Sequence, residues 1–473
     1  MSCLPSGYGS QALALKYLGI PFEHWKLVEW AIKSIQAYKD IHFTDDDTDY
    51  TVAGKLGVAE EWIKEWLYKK GISSNYNEPM TQQQIDRLSK EQVKTIYNNI
   101  QATHNLVNIQ QVKGKDLEIE DTDKYEYIMT YSFPCQDLSL AGKGKGMSDT
   151  STRSGMLWEV ERILTECENK PQILLMENVP QVHSEDNLPD FNKWKDRLEE
   201  LGYKNYFQDL IASAYGIPQT RNRCFMVSIL GDYSYTFPKP IPLKLKLKDM
   251  LEDNVDEKYY LSDKAISGLT NQMSKEHKPN LIDIQIEPNK PFSTLTCGYM
   301  KQGHYETYLK IKNANSKGYL EATDGDGIDI SSRMEYHRGT VQKGKTQTLT
   351  TMGGENNGVV VKPQVLGGIG EKDSNNNTQW KQQNRVYDDN VSISITTAFN
   401  PYYKSDLRIR KLTPRECGRL MNVKDEDIDK ILKNQSDSSA YHLFGDSICT
   451  NVLMAIFGQL LDIEWEKYLW KVQ

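Results

Sequence analysis

The stretch Tyr127-Ile128-Met129-Thr130-Tyr131-Ser132-Phe133-Pro134-Cys135-Gln136 decides how this chain is read. Its first six residues form a short apolar run, which predicts a strand over 127–132. Pro134 then stiffens the backbone immediately before a thiol. A cysteine held at the carboxyl end of a strand is well placed for nucleophilic work. The plainer reading of any free cysteine is a small buried hydrophobe, so the neighbours have to decide.

Downstream, Ala141-Gly142-Lys143-Gly144-Lys145-Gly146 is a basic, glycine-rich segment suited either to closing over a polyanion or to an ordinary surface loop. Residues 156–164 carry Leu157, Val160 and Leu164 at helical spacing. Residues 173–176 read as a buried strand that ends in Glu177-Asn178-Val179. A carboxyl group leaving a buried strand is desolvated, which raises its pKa and favours proton donation; the alternative is a helix cap. A helix over 191–201 follows. Then comes Gln219-Thr220-Arg221-Asn222-Arg223, with two cations at alternate positions before a strand over 224–229. A structural salt bridge is the default for one of those arginines.

Upstream, Gly7-Tyr8-Gly9-Ser10 is a tight turn, and 11–18 reads as a helix stopped by Gly19. Residues 24–30 read as a strand, and Ile32, Ile35, Tyr38 and Ile41 give the next helix its apolar face. Residues 43–105 read as a mostly helical insertion. Strands alternating with helices predict an α/β fold with a doubly wound mixed sheet, whose ligands bind beyond the carboxyl ends of the strands. Residues 235–405 differ, being rich in Gly, Asn, Thr, Lys and Pro. Ser293-Thr294-Leu295-Thr296, Gln347-Thr348-Leu349-Thr350 and Ile393-Ser394-Ile395-Thr396 suggest loosely repeated β units there. Thr413-Pro414-Arg415-Glu416 opens a helix with a capping box, and 444–461 is apolar and largely helical. The expected organisation is a first catalytic and cofactor-binding part at 1–232, a smaller inserted β-rich domain at 233–407, and a return to the first domain at 408–473.

The 473 residues are 38% hydrophobic and 26% charged, a globular composition. No secretory signal pattern and no apolar run of membrane-spanning length is expected, so a cytoplasmic protein is the expectation. Seven cysteines without CxxC spacing predict neither a disulfide scaffold nor a bound metal. A net charge of −8 argues against nonspecific coating of nucleic acid, though not against a local basic cleft.

Together these blocks resemble the DNA cytosine-5 methyltransferase family, in the family's own order. They are Gly7-Tyr8-Gly9, Glu29-Trp30, Asp116-Leu117, Pro134-Cys135-Gln136, Arg153 to Leu157, Glu177-Asn178-Val179, Gln219-x-Arg221-x-Arg223, Arg410 to Cys417, and Gly445-Asp446-Ser447-Ile448. They span about three-fifths of the chain. The resemblance implies a sheet of the S-adenosylmethionine-dependent methyltransferase type with an inserted target-recognition domain. It also implies double-stranded DNA as partner, action as a monomer, and a restriction-modification or orphan phage-type setting with or without a cognate endonuclease.

The resemblance further implies that Cys135 attacks C6 of a flipped cytosine while Glu177 steadies N3 and the amine, with Arg223 at O2 and Arg221 beside it. S-adenosylmethionine would be held by Gly7, Tyr8, Gly9, Ser10, Glu29, Trp30, Asp116, Leu117, Ser132, Pro134, Asp446 and Ile448. DNA would be contacted by Gln136, Lys143, Lys145, Arg153, Gln219, Thr348, Arg385, Ser394 and Thr396. The chain departs from the pattern at two places. Met1-Ser2-Cys3-Leu4-Pro5 stands where the family has a full strand ending Asp-Leu-Phe, so the first strand is expected to be truncated or replaced. Asp446 stands where the family more often has Asn. The competing readings are a cofactor-impaired DNA-binding relic of the family and an RNA cytosine-5 methyltransferase.

Overall fold

The computed structural model describes residues 2–3, 7–43, 59–133, 156–260, 309–330, 339–349, 357–361, 365–368, 371–372, 378–379, 385–387 and 408–469. The chain forms two compact units: 1–245 with 348–353 and 417–473, and 246–347 with 354–416.

The first unit is built on a six-stranded sheet. In chain order its strands are β1 (Ser2–Cys3), β2 (Lys26–Leu27), β3 (Ile128–Ser132), β4 (Ile173–Asn178), β5 (Tyr203–Ile211) and β6 (Asn222–Leu230). Their spatial order is β2-β1-β3-β4-β6-β5. The first four run parallel, and β6 is antiparallel to both β4 and β5. The sheet is therefore mixed. β3 and β4 are buried along nearly their whole length, as strands covered on both faces must be. The described part of β1, Ser2–Cys3, lies between β2 and β3. The strand expected over 24–30 shrinks to Lys26–Leu27. Strand β5 was not foreseen, because its edge position exposes every other stretch of an otherwise polar sequence.

Helices fill the connections: α1 (Ser10–Tyr17), α2 (Ile32–His42), α3 (Glu60–Lys70), α4 (Gln82–Asp86), α5 (Lys90–Ala102), α6 (Leu157–Glu166) and α7 (Leu188–Glu200). Leu157, Val160, Ile163 and Leu164 form the buried stripe of α6. They pack with Met129, Tyr131, Leu174, Met176, Phe191 and Trp194 into one core. The insertion has a core of its own. Ser89 and Gln92 cap α5 reciprocally, and its Val93, Ile96, Tyr97 and Ile100 pack on Ile63 and Leu67 of α3. Trp30 packs against this second cluster.

The C-terminal segment adds α8 (Pro414–Leu420), α9 (Asp425–Asn434), α10 (Asp437–Asp446) and α11 (Thr450–Leu460). Asp427 of α9 accepts from Lys16 Nζ at 2.8 Å and from Tyr17 OH at 2.8 Å, which ties α9 to α1. Contrary to the expectation of no membrane-length apolar run, Asp437–Leu460 is long and apolar enough to cross a bilayer by composition. Its apolar window is 83% buried inside the protein, so its apolarity serves the core.

In the second unit, Val341–Gln342, Gly327–Asp329, Asn357–Val361 and Arg408–Lys411 form, in that spatial order, a four-stranded antiparallel sheet. Separate two-stranded ladders pair Leu309–Lys312 with Tyr319–Ala322 and Val365–Gly368 with Arg385–Tyr387. The capping box expected at Thr413 is present. The Glu416 carboxylate accepts from Thr413 N at 2.8 Å, and Thr413 Oγ1 accepts from Glu416 N at 3.2 Å. Arg410 donates to both carboxylate oxygens of Glu416 at 2.7 Å, fully buried. Of the three supposed repeats, only Gln347, Thr348 and Leu349 lie among the described residues. They are not in a strand, so the β reading of that copy is corrected.

Candidate active site

The described site sits at the carboxyl edge of the parallel strands. Ser132 of β3 is in register with Glu177 of β4. Asn178 Nδ2 donates to Phe133 O at 3.0 Å, clamping the exit of one strand to that of the other. Cys135 follows Phe133 by two residues in the chain. With Pro134, Gln136, Lys143, Lys145 and Arg153 it lies outside the described residues, as do Ser394 and Thr396.

Glu177 is buried, and Arg223 Nε lies 3.1 Å from its Oε1. Burial raises its pKa above the ordinary carboxylate range. Arg223 and Arg221 pull against that rise, and the charge of Asp446 adds to it. Oε1 has no well-aligned hydrogen-bond partner among the described residues. The result is a desolvated carboxyl group held in a charge pair with Arg223.

The Gln219–Arg223 segment divides by burial. Gln219 is fully buried; its Nε2 donates to Leu420 O at 2.7 Å and its Oε1 accepts from Leu349 N at 3.3 Å. It cannot reach DNA from there, which corrects the DNA-binding expectation. Arg221 is also buried, and its Nη1 donates to Leu349 O at 2.9 Å and Gly445 O at 3.0 Å. It holds the end of α10 in place and acts on Glu177 through its charge. Arg223 is the cation that meets Glu177 directly.

A second group of residues gathers around the first turn. Gly7 and Gly9 have φ of 59° and 82°, which side chains rarely adopt. A Cβ on Gly7 would lie 2.5 Å from Ser447 Oγ, so the turn and the α10–α11 junction approach as closely as atoms permit. Tyr8 and Ser10 are buried beside it, and Ile448 is buried in the same junction. Ser447 Oγ is buried without a hydrogen-bond partner among the described residues. Glu29 follows β2; its Oε1 accepts from Ala31 N at 2.8 Å. Its pKa is pushed up to about 8, by burial first and then by the charge of Asp446, against the backbone N–H groups of Ala31, Trp30 and Gly7. Asp446 itself is exposed, so it reaches the site from its rim.

Asp116 and Leu117, both expected at the cofactor, lie in the 3-10 turn Gly114–Leu117. Leu117 is fully buried in the core beside α6. The Asp116 carboxylate accepts from Lys113 N at 2.9 Å and caps its own short 3-10 turn. The side chain that does adjoin Glu29 is Asn105, whose Oδ1 accepts from Glu29 N at 3.0 Å and whose Nδ2 donates to Glu29 O at 2.8 Å. The signal that would have found it is position: Asn105 pairs in parallel fashion as an extension beside Leu27. Also unforeseen is Tyr76 from the insertion. Its ring stacks on His442 of α10 at 3.8 Å and 14°, and the charges of Glu29 and Asp446 act on it. Thr348 is half-buried, and Arg385 lies in its two-stranded ladder.

Fold and site define an α/β protein that buries two acids, Glu29 and Glu177, at or just beyond the ends of parallel strands. The C-5 cytosine-specific DNA methylase family matches residues 70–462. The chain therefore belongs to this family, and it is a DNA methyltransferase of the cytosine-5 type. It is 36% identical over 328 residues to the orphan methyltransferase M.SssI of Spiroplasma monobiae, covering 68% of this chain and 81% of that protein. It is 34% identical over 264 residues to the type II methyltransferase M2.ScrFI of Lactococcus lactis subsp. cremoris, covering 55% and 70%. A solved methyltransferase of Entamoeba histolytica, EhMeth, shares the fold with a TM-score of 0.51 at 14% identity, covering 98% of this chain and 97% of that one. Methyl transfer dependent on S-adenosylmethionine follows from the family, and neither the relic nor the RNA reading is favoured.

Proposed function

We propose that Cys135 adds to C6 of a cytosine extruded from duplex DNA while Glu177 grips the base from its Watson–Crick side. The observation that carries this is the buried Glu177, paired with Arg223, at the strand end next to the one that leads to Cys135. Cytosine C5 is a poor nucleophile, and thiolate addition at C6 turns the ring into an enamine. A protonated Glu177 donates to N3 and accepts from the exocyclic amine, offsetting charge as it develops. Arg223 neutralises the carboxylate when the proton has left. Arg221 is a positioning residue. Extrusion of the base costs a few kcal/mol, offset by these contacts.

The cofactor site proposed is the turn Gly7–Ser10 with Glu29, Asn105, Trp30, Ser132, Asp446 and Ile448. The residues fit the group. Glu29 is a buried acid on which the charge of a second carboxylate, Asp446, also acts. Ser447 Oγ is an orphaned polar atom in the same junction. A ribose diol and a positively charged amino acid moiety would answer both. When bound, S-adenosylmethionine supplies an electrophilic methyl group. Glu29 accepts from hydroxyl donors, and the glycine turn lets the backbone approach closely.

The second unit is proposed to read the DNA sequence, with Arg385 among its contacts, while Thr348 of the first unit also meets DNA and Lys143, Lys145 and Arg153 meet phosphates. The protein is proposed to act as a cytoplasmic monomer in a bacterial or phage setting. Duplex DNA with 5-fluorocytosine at every cytosine tests the chemistry. With cofactor, the wild type should form a denaturant-resistant adduct, and Cys135→Ala should form none. An adduct formed equally by Cys135→Ala refutes the assignment.

A further inference from the structure

Behind the exit of β4 lies a cluster that the methyl-transfer reading does not use. His183 ends the 3-10 turn Pro180–His183 that follows Glu177-Asn178-Val179. Asp209 lies on β5 and faces Cys224 of β6 across the ladder; Cys224 in turn faces Asn178 of β4. His183 Nε2 is 2.9 Å from Asp209 Oδ1. One ligand atom from each of the three side chains lies within 4.8 Å of the others. The imidazole is flanked by the rings of Phe191 and Phe207, at 6.2 and 5.7 Å. Cys224 is fully buried, while the His183 and Asp209 side chains are 29% and 32% exposed, which leaves an opening on one side.

We propose that His183, Asp209 and Cys224 form a binding site for one zinc-type divalent cation. One nitrogen, one oxygen and one sulfur donor suit a borderline-soft ion and not magnesium or calcium, which take oxygen. Bonds of about 2.0–2.3 Å in a tetrahedron place donors roughly 3.3–3.7 Å apart. The His183–Asp209 pair must open slightly to reach that spacing, and the thiol must close slightly. Solvent at the open side supplies the fourth ligand. On binding, the Cys224 S–H bond breaks, sulfur keeps the electron pair and donates it to the ion, and the proton leaves to solvent. The ion would pin the turn after Glu177 to β5 and β6, next to Arg223. No CxxC spacing announces such a site, because its donors come from three elements joined only by the fold.

Cobalt tests it on the full-length chain. Cys135→Ala is used as background, to remove the thiol assigned to chemistry. One equivalent of Co²⁺ should produce a thiolate-to-cobalt charge-transfer band and the visible bands of a four-coordinate ion. Zn²⁺ should displace it, and a saturating Zn²⁺ excess should raise the melting temperature by roughly 4–6 °C. Adding Cys224→Ala should abolish the sulfur band, and adding Cys167→Ala should leave it. His183→Gln, at a partly exposed position, should weaken binding at least tenfold, and it keeps the test valid if the core variant does not fold. A sulfur band that survives Cys224→Ala, unaltered affinity in His183→Gln, or no stoichiometric binding overturns the proposal.

Discussion

Replacing Glu29 with Gln should make the cofactor-free protein more stable in alkali and a poorer binder of S-adenosylmethionine. The Glu29 acid has a pKa near 8 in the folded protein, against 4.5 for the unperturbed group. Folded chain thus keeps a proton across that interval that unfolded chain has released. Stability from this group is fully present below about pH 4.5 and is lost as pH rises through about 8. The loss is at most about 5 kcal/mol at pH 9, and water penetration should reduce it to roughly 1–3. Glutamine keeps the oxygen that accepts from Ala31 N and has no charge to desolvate. Melting temperatures of wild type and Glu29→Gln, measured without cofactor from pH 5 to 9, should diverge with rising pH. The variant should lead by roughly 2–5 °C at pH 9. Calorimetry should show its affinity for S-adenosylmethionine lowered about 10–100-fold, the worth of charge-assisted hydrogen bonds to the ribose. A difference independent of pH, or a wild type that stays the more stable at pH 9, would refute the reasoning.

Glu177→Gln removes the transferable proton and keeps the shape, so single-turnover methylation should slow about 10²–10³-fold. The wild-type rate should fall on the alkaline side, with an inflection above the usual carboxylate range, and the variant should lack that inflection. Gly7→Ala must hold φ near +59° and meets Ser447 Oγ, so it should cost about 1–2 kcal/mol and weaken cofactor binding. Calorimetry on Gly7→Ala/Ser447→Gly should recover part of the binding; no recovery would mean the steric account is wrong. In the second unit, Glu416→Ala strands the buried Arg410 and removes an acceptor from Thr413 N and Glu252 N. It should destabilise that unit by about 3–5 kcal/mol, read by thermal unfolding, while Arg410→Met/Glu416→Leu should destabilise it far less.

Local pattern carried far where burial is complete. The runs of β3 and β4 are apolar on both faces, so their ends, and with them Ser132 and Glu177, were legible from composition alone. β5 was not, because an edge strand with solvent on one flank has a polar sequence that no apolar run marks. The same limit hides Asn105: which side chain meets Glu29 depends on the path of the chain after the insertion, and no local pattern marks it. Gln219 and Arg221 show the converse. Their motif was recognised, but its spacing could not say that two of three polar side chains face inward, bonded to main-chain carbonyls that arrive from 128 to 224 residues away. Tyr76 had no signal at all, since its partner His442 lies on a helix near the other end of the chain.

The carboxyl groups of this site share one electrostatic logic. Glu29 and Glu177 are buried with raised pKa values, and Asp446 at the rim raises both. Only Glu177 has arginines against it. The charge of Glu177 is thus balanced by the protein's own cations, while at Glu29 the charge of Asp446 adds to that of the buried acid. An uncompensated buried acid destabilises the empty protein, and it is tolerated where a ligand relieves it. A cationic, hydroxyl-bearing cofactor does so, and Asp446 in place of the family's usual Asn deepens the imbalance. Asp446→Asn should therefore lower the pKa of both buried acids, shifting the alkaline limit of the methylation rate to lower pH. It should also narrow the stability gap between wild type and Glu29→Gln at pH 9. A rate profile that does not move in Asp446→Asn would separate Asp446 from the catalytic acid and confine its influence to the cofactor side.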